Sequence, residues 1–282
     1  MQVKVIIGTV AFMLSMMVFG YAALREPARL ERFTDARLGR QIESGAHLFE
    51  NNCATCHGVE GKAEECYDAA SGEPIGCIGL PLNYAPLLCE DVSLRMEAMK
   101  WEGSKEAFIQ ATLTSGRYGT EMPTWSQDFG GPMRTDQIVD LTKYILNWGT
   151  EELCSTPIVV YDWPELYAEY AVEYPDGDPA HGQELYLLYG CAGCHGTLDN
   201  ESSAAVGPWL GNISENGELR IDGISSEEYV YQSILHPSAF ISPDCPTGPC
   251  SGPPSAMPDN FALRMGENPQ DLGDIMSYLF GN

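Results

Sequence analysis

Basic side chains are scarce in the second half of this 282-residue chain. No lysine or arginine occurs between Lys143 and Arg220. Residues 150–282 hold 2 basic and 21 acidic residues, a net charge of −19, whereas residues 1–149 hold 13 and 19, a net charge of −6. A surface this acidic repels the phosphates of nucleic acid and excludes nucleic acid as a partner. The same field would attract a basic protein to the second half.

The sequence also has little that favours β-structure or a flexible linker. No part of the chain is rich in the strict apolar–polar alternation of half-buried strands. Residues 151–177 are acidic and aromatic rather than rich in glycine and serine, and they contain no basic residue. This composition predicts a connector that lies against a domain surface and carries a short helix after Pro164. The chain as a whole is predicted to be mainly α-helical.

Two short motifs carry the chemistry, namely Cys-Ala-Thr-Cys-His and Cys-Ala-Gly-Cys-His. Cys-x-x-Cys-His is the attachment signature of a c-type haem, in which the thiols bind the vinyl groups and the histidine binds the iron. A zinc half-site, or a disulfide beside an unrelated histidine, is the alternative for a single copy. Two copies in matching contexts favour two haem c groups. The predicted attachment residues are Cys53, Cys56, Cys191 and Cys194, and the predicted proximal iron ligands are His57 and His195.

The elements around the two motifs repeat in the same order. A helical segment precedes each motif, and a proline-containing loop, a middle helix, a Met-Pro pair and an apolar-periodic closing helix follow. Met122 lies 65 residues after His57, and Met257 lies 62 residues after His195. Helices are predicted at residues 38–52, 106–113, 136–148, 228–235 and 269–280. This order resembles class I cytochromes c, and the chain is similar to membrane-anchored dihaem members of that family.

The resemblance implies two class I cytochrome c domains in tandem, residues 36–150 and 178–282. It also implies that Met122 and Met257 are the distal iron ligands, which raises the redox potential. In the family, the carbonyl of the proline after the motif accepts a hydrogen bond from the proximal histidine. Pro81 and Pro208 match that place.

Some site residues have rivals. Met133 is the second candidate for the distal ligand of the first haem. Met265 and His236 compete with Met257 for the second haem, and His236 would give a bis-histidine site of low potential. Arg117 is either a haem-propionate ligand or an ordinary surface arginine.

An uncharged run of 20 residues, Val5–Leu24, is long enough to span a membrane as a helix. We interpret residues 1–24 as an uncleaved anchor and residues 25–35 as a charged tether. A cleaved signal peptide is the rival interpretation, although its apolar region is usually shorter and no clear Ala-x-Ala site follows. Since haem attachment in bacteria takes place outside the cytoplasmic membrane, the amino terminus is predicted in the cytoplasm and both haems on the periplasmic or outer side.

Six cysteines lie outside the motifs. An even number fits three disulfides in an oxidising compartment, while six free buried thiols are the alternative. A Cys66–Cys77 or a Cys245–Cys250 disulfide would close a short loop, and pairing Cys89 with Cys154 would pin the connector to the first domain. The number of cysteines does not by itself fix their pairing.

The predicted function is electron transfer by a non-enzymatic carrier, as a subunit of a respiratory or photosynthetic membrane complex. By analogy, the arrangement resembles the cytochrome subunits of alternative complex III or of cbb-type oxidases. The predicted partners are membrane-bound subunits near the first haem and a soluble basic redox protein at the acidic second domain. The alternatives are a dihaem cytochrome c peroxidase and the cytochrome subunit of a periplasmic dehydrogenase.

Overall fold

The computed structural model describes residues 2–67, 72 and 74–281. Within them the chain is mainly helical, which confirms the predicted mainly α-helical class. The α-helices are α1 (Gln2–Asn52), α2 (Ala54–His57), α3 (Ala85–Leu88), α4 (Leu94–Ala98), α5 (Lys105–Ser115), α6 (Thr135–Asn147), α7 (Glu151–Ser155), α8 (Tyr167–Glu173), α9 (Pro179–Leu188), α10 (Cys191–His195), α11 (Ile213–Asn216), α12 (Ser226–Leu235), α13 (Phe261–Met265) and α14 (Gln270–Phe280). Two short strands, β1 (Cys66–Tyr67) and β2 (Pro74–Ile75), pair antiparallel.

Helix α1 runs without a break from the apolar segment into the first hydrophobic core. The segment predicted as a tether, residues 25–35, is therefore helical and has no boundary with its neighbours. Arginine, alanine, leucine and glutamate in the segment are good helix formers, and the helix continues through Pro27 although proline disfavours a helix interior. Arg29 and Glu26 also form an ion pair of 2.6 Å on successive turns.

The amino-terminal part of α1 is long and apolar enough to cross a membrane. Its most apolar 18-residue window has a mean hydropathy of 2.0, and none of that window is buried in the protein. A signal sequence has similar properties. By length and composition this segment is thus a membrane anchor or a signal.

The first lobe is built on the crossing of α1 with α6. Gly45 has no side chain where the helices meet, and a Cβ there would clash with the carbonyl oxygen of Asp140 and lie 2.6 Å from Tyr144 Cβ. One turn later Phe49 is buried, with its ring centroid 5.7 Å from that of Tyr144 and 5.1 Å from that of Trp148. Glycine thus allows the close approach, and aromatic rings fill the space beside it.

The second lobe has the same crossing between α9 and α14. A Cβ on Gly182 would clash with the carbonyl oxygen of Asp274 and lie 2.9 Å from Tyr278 Cβ. Tyr186, one turn later, is buried with its ring 5.5 Å from that of Tyr278. The glycine and both rings therefore occupy equivalent places in the two lobes, each of which has its own hydrophobic core.

The connector lies against the second lobe, as its composition predicts. Trp163 Nε1 donates a hydrogen bond to the carbonyl of Ala262 at 2.9 Å. Tyr170, which is 1% exposed, donates through its hydroxyl to the carbonyl of Pro269 at 2.8 Å. Helix α8, which carries Tyr170, is the short helix expected after Pro164.

The six cysteines outside the motifs form the three disulfides proposed from the sequence: Cys66–Cys77, Cys89–Cys154 and Cys245–Cys250. The second ties the start of the connector to the first lobe, and the third closes a short loop upstream of Met257.

Removing the Cys89–Cys154 disulfide is expected to destabilise the protein more than removing Cys245–Cys250. The bonded residues are 65 positions apart in the first case and 5 in the second. Chain-entropy arguments give losses of about 4 and about 2 kcal/mol respectively. Thermal unfolding of the two double-serine variants measures the difference, and equal losses would contradict this account.

Candidate haem-binding sites

The first motif forms a single helical turn directly after α1. Cys53 N–H donates to the carbonyl of Phe49 at 2.8 Å, so the motif continues the hydrogen bonding of the long helix. Gly58, with φ of 73°, ends the turn after His57. The second motif has the same design, with Gly196 at φ of 69° after His195. Glycine is favoured at both places because other residues rarely adopt positive φ.

Each motif histidine is oriented by a backbone carbonyl. His57 Nδ1 lies 2.7 Å from the carbonyl oxygen of Leu80, and His195 Nδ1 lies 2.6 Å from that of Pro208. Since a carbonyl can only accept, Nδ1 carries the proton in both rings. Nε2 therefore has a free lone pair, which is the arrangement of a metal-binding imidazole held from outside the site.

The prediction that the Pro208 carbonyl accepts the hydrogen bond from the proximal histidine is confirmed. The same prediction for Pro81 is wrong, because Leu80 is the acceptor. The carbonyl comes from Leu80 because the contact is set by the preceding glycine and not by the proline. Gly79 N–H donates to the carbonyl of Cys56 at 2.7 Å, and the next residue then faces the ring. In the second lobe the next residue is the proline itself, whereas in the first lobe Leu80 intervenes.

Gly79 and Gly207 are site residues that the sequence reasoning missed. A Cβ on Gly79 would lie 2.6 Å from His57 Nδ1, and a Cβ on Gly207 would lie 2.6 Å from His195 Cε1. Gly207 N–H also donates to the carbonyl of Cys194, at 2.9 Å. The signal that could have found them is the glycine one or two residues before Pro81 and Pro208.

The four motif thiols are free, while the other six cysteines are paired. Burial raises the pKa of Cys53 and of Cys191 to about 12, and it also raises the pKa of Cys56 and Cys194. These cysteines are therefore neutral thiols at physiological pH.

Burial also lowers the pKa of both motif histidines, against the opposing effect of the hydrogen bonds to Leu80 and Pro208. Neutral imidazole is the form that binds a metal. Among the described residues, no group of three or more His, Cys, Asp or Glu side chains is arranged to hold a metal ion, which disfavours the zinc interpretation.

The two Met-Pro loops have matching backbone contacts. Met122 N–H donates to Thr120 Oγ1 at 3.2 Å, and Met257 N–H donates to Ser255 Oγ at 3.1 Å. Both methionines are half-buried, and each packs against the hydrophobic core of its own lobe. The hydroxyl two residues before each methionine was not singled out from the sequence.

The rival ligands have different environments. Met133 is 3% exposed and Met265 is 1% exposed, so both fill the cores of their lobes. His236 is exposed at the end of α12. Arg117 is the candidate for a haem propionate. Its guanidinium lies over the ring of Phe108 at 5.0 Å and forms no ion pair with a described residue. Burial lowers the pKa of Arg117 to about 10.

Two buried polar atoms without a protein partner lie three residues after the two methionines. They are Trp125 Nε1 and Asn260 Oδ1. Buried polar atoms are nearly always hydrogen-bonded, so an unpaired one points to a partner from outside the protein chain. With the free thiols and the free imidazole Nε2, the donor Trp125 Nε1 fits a covalently attached haem, whose propionates accept hydrogen bonds.

Comparison with known proteins gives the same result for the first lobe. Residues 40–145 match the family described as cytochrome c oxidase, cbb3-type, subunit III. The chain contains a cytochrome c domain. Such a domain binds haem c and transfers electrons. A cytochrome c type-1 from Ascaris suum is 28% identical over 117 residues, which are 41% of this chain and 91% of that relative. No solved structure matches the chain significantly.

Proposed function

We propose that this chain is a membrane-anchored dihaem cytochrome c that passes electrons within a respiratory or photosynthetic membrane complex. The observation that carries the proposal is the repeated geometry of two Cys-x-x-Cys-His turns. In each, the thiols are free and a backbone carbonyl holds the histidine Nδ1. The cytochrome c domain of the first lobe supplies the chemistry, and the second lobe repeats the contacts that this chemistry needs.

The residues have distinct roles in this proposal. A haem bound at each motif supplies a one-electron couple. Cys53 and Cys56 would hold the first haem, and His57 and Met122 would ligate its iron. The second lobe uses Cys191, Cys194, His195 and Met257 in the same roles. Trp125 Nε1 and the guanidinium of Arg117, which forms no ion pair with a described residue, suit the propionates of the first haem.

This ligand set favours an electron carrier over a peroxidase. A peroxidase needs an iron with an axial position that opens to substrate. The sequence feature that suggested one, His236, is exposed, whereas Met257 packs against the core. Each lobe thus offers an imidazole and a thioether to its iron, which would leave no position for a substrate.

The number of haems tests the proposal. A pyridine haemochrome assay should return two haems per chain, both retained after acid-acetone extraction because thioether bonds are covalent. The Cys191→Ala/Cys194→Ala variant should retain one covalent haem. A single haem in the unaltered protein would refute the dihaem proposal.

We further propose that α1 anchors the chain with its amino terminus in the cytoplasm and both lobes on the periplasmic or outer side. Three disulfides support this side, since disulfides persist in oxidising compartments. In this orientation the first lobe, which α1 enters directly, faces the membrane-bound subunits of the complex.

The acidic second lobe is proposed to dock a soluble basic redox protein. Electrostatic steering weakens with salt because the Debye length falls from about 10 Å at 0.1 M to about 3 Å at 1 M ionic strength. Stopped-flow electron transfer to a basic carrier should therefore slow markedly as salt is raised.

A matched pair of variants locates the docking surface. Asp199 and Glu201 are exposed shortly after the second motif, and Glu64 and Glu65 are exposed shortly after the first. Asp199→Asn/Glu201→Gln should flatten the salt dependence, while Glu64→Gln/Glu65→Gln should leave it nearly unchanged. A rate that does not respond to salt would show that the acidic surface has another role.

A further inference from the structure

Residues 76–80, which we name the bridging segment, contact both Cys-x-x-Cys-His motifs. On the side of the first motif, Gly79 N–H donates to the carbonyl of Cys56 at 2.7 Å. The next residue, Leu80, accepts the hydrogen bond from His57 Nδ1 at 2.7 Å. The carboxyl-terminal half of the segment is thus part of the first site.

The amino-terminal half of the bridging segment lies along the second motif. A Cβ on Gly76 would clash with the carbonyl of Leu187, and one on Gly190 would clash with the carbonyl of Cys77. A Cβ on Gly193 would lie 3.0 Å from Ile78 Cγ1. The contacted residues of the second lobe are 187, 190 and 193, which are three positions apart. Because residues at this spacing lie on one side of a helical turn, the bridging segment follows one face of the chain that leads into the second motif.

Gly193 is the place where the two motifs differ. The first motif has the exposed Thr55 at this position, while the second has glycine and thereby leaves room for Ile78. A side chain at residue 193 would push Ile78 away, so glycine here serves the contact between the lobes.

A disulfide anchors the bridging segment to the first lobe. Cys77, its second residue, is bonded to Cys66, and these cysteines form a small buried cluster with Ala63. Cys66 Sγ lies 3.8 Å from the carbonyl oxygen of Ala54, inside the first motif. The segment is therefore held at a fixed place beside the first motif while its other face meets the second.

We propose that the bridging segment, through Ile78 and Gly193, fixes the spacing of the two haem sites and carries electron transfer between them within one chain. This inference rests on the proposed binding of two haems. The step moves one electron from the reduced to the oxidised centre; it makes or breaks no bond and moves no proton. Ile78 acts as a positioning residue, since electron transfer slows steeply as the separation of two centres grows.

The test compares Gly193→Ala, Ile78→Ala and the double variant, with Thr55→Ala as the control at the equivalent place of the first motif. Pulse radiolysis of the oxidised, haem-loaded protein injects one electron and follows its redistribution between the haems. Gly193→Ala should slow this redistribution about twofold, which corresponds to about 0.4 kcal/mol of activation free energy. The double variant should recover part of the loss, because truncating the isoleucine side chain makes room for the methyl group added at position 193. Thr55→Ala should match the unaltered protein.

Hydrogen exchange gives a readout that does not depend on electron transfer. The amide of Gly79, which donates to the carbonyl of Cys56, should exchange faster in Gly193→Ala and in Ile78→Ala than in the unaltered protein, and at the unaltered rate in Thr55→Ala. If Gly193→Ala fails to attach the second haem, Ile78→Ala, which leaves the motif intact, decides the question.

The outcomes separate the two proposals. Variants that carry two haems, redistribute the electron at the unaltered rate and keep the exchange protection of the bridging segment would overturn this inference and leave the proposed function standing. One haem in the unaltered protein would instead refute the proposed function itself.

Discussion

Replacing Gly182 with alanine is expected to unfold the second lobe or to cost it about 3 kcal/mol or more of stability, the upper range for overpacking. The new Cβ would meet the carbonyl of Asp274, and it would lie 2.9 Å from Tyr278 Cβ. A backbone carbonyl in α14 cannot rotate away as a flexible side chain can. The helices must separate instead, and Tyr186 then loses its packing against Tyr278.

Gly39→Ala is the matched control for this substitution. Gly39 also lies inside a helix, but it is exposed and no atom lies within 4 Å of the position of its Cβ. There the same change should stabilise the helix by roughly 0.5–1 kcal/mol, because alanine loses less backbone entropy than glycine on folding. Thermal unfolding followed by circular dichroism measures both variants. A Gly182→Ala variant as stable as the unaltered protein would contradict the close crossing of α9 and α14.

Met122→Ala and Met257→Ala are each expected to remove one of the two methionine ligands of the haem irons. The ferric protein should show the weak thioether-to-iron band near the red end of the spectrum, and each variant should lose roughly half of it. The redox potential of the altered haem should fall, since methionine ligation raises the potential. Each substitution also leaves a small cavity at the edge of a core, so haem content is measured in parallel.

Two further variants keep this prediction specific. Met99→Ala alters a methionine that is 45% exposed, and His236→Ala removes the exposed rival ligand; both should keep the whole band. A His236→Ala variant that changes the ligation of the second haem, combined with a Met257→Ala variant that does not, would reassign the distal ligand to His236.

Much of the architecture could be predicted from the sequence because local chemistry decides it. The spacing of Cys53, Cys56 and His57 belongs to one helical turn, so the motif needs no knowledge of distant contacts. Helices such as α6 and α14 have a strong apolar period, and Ser225 accepts a hydrogen bond from Glu228 N–H at the start of α12, as its capping sequence predicts. Short loops suggested two of the disulfides, Cys66–Cys77 and Cys245–Cys250, whereas Cys89 and Cys154 lie 65 positions apart and their bond depends on the fold.

The sequence was a poorer guide where a contact depends on backbone position. The hydrogen bond to His57 was expected at Pro81 because proline is the recognisable residue, but Leu80 makes it, since Gly79 sets the approach of the chain. The tether at residues 25–35 was expected as a separate element, whereas in the structure the helix continues through it, Pro27 included. In both cases the conspicuous residue type was not the one that decides the geometry.

By itself, therefore, the sequence determined the helical class, the two motifs, the repeat and the uneven charge, all of which follow from residue types at short spacing. Only the tertiary structure decided which carbonyl holds each histidine, that His236 is exposed while Met257 packs inward, and that residues 76–80 lie against Gly193. These contacts join residues far apart in the chain. Their distances depend on how helices cross and loops close, and no local pattern of residues records that geometry.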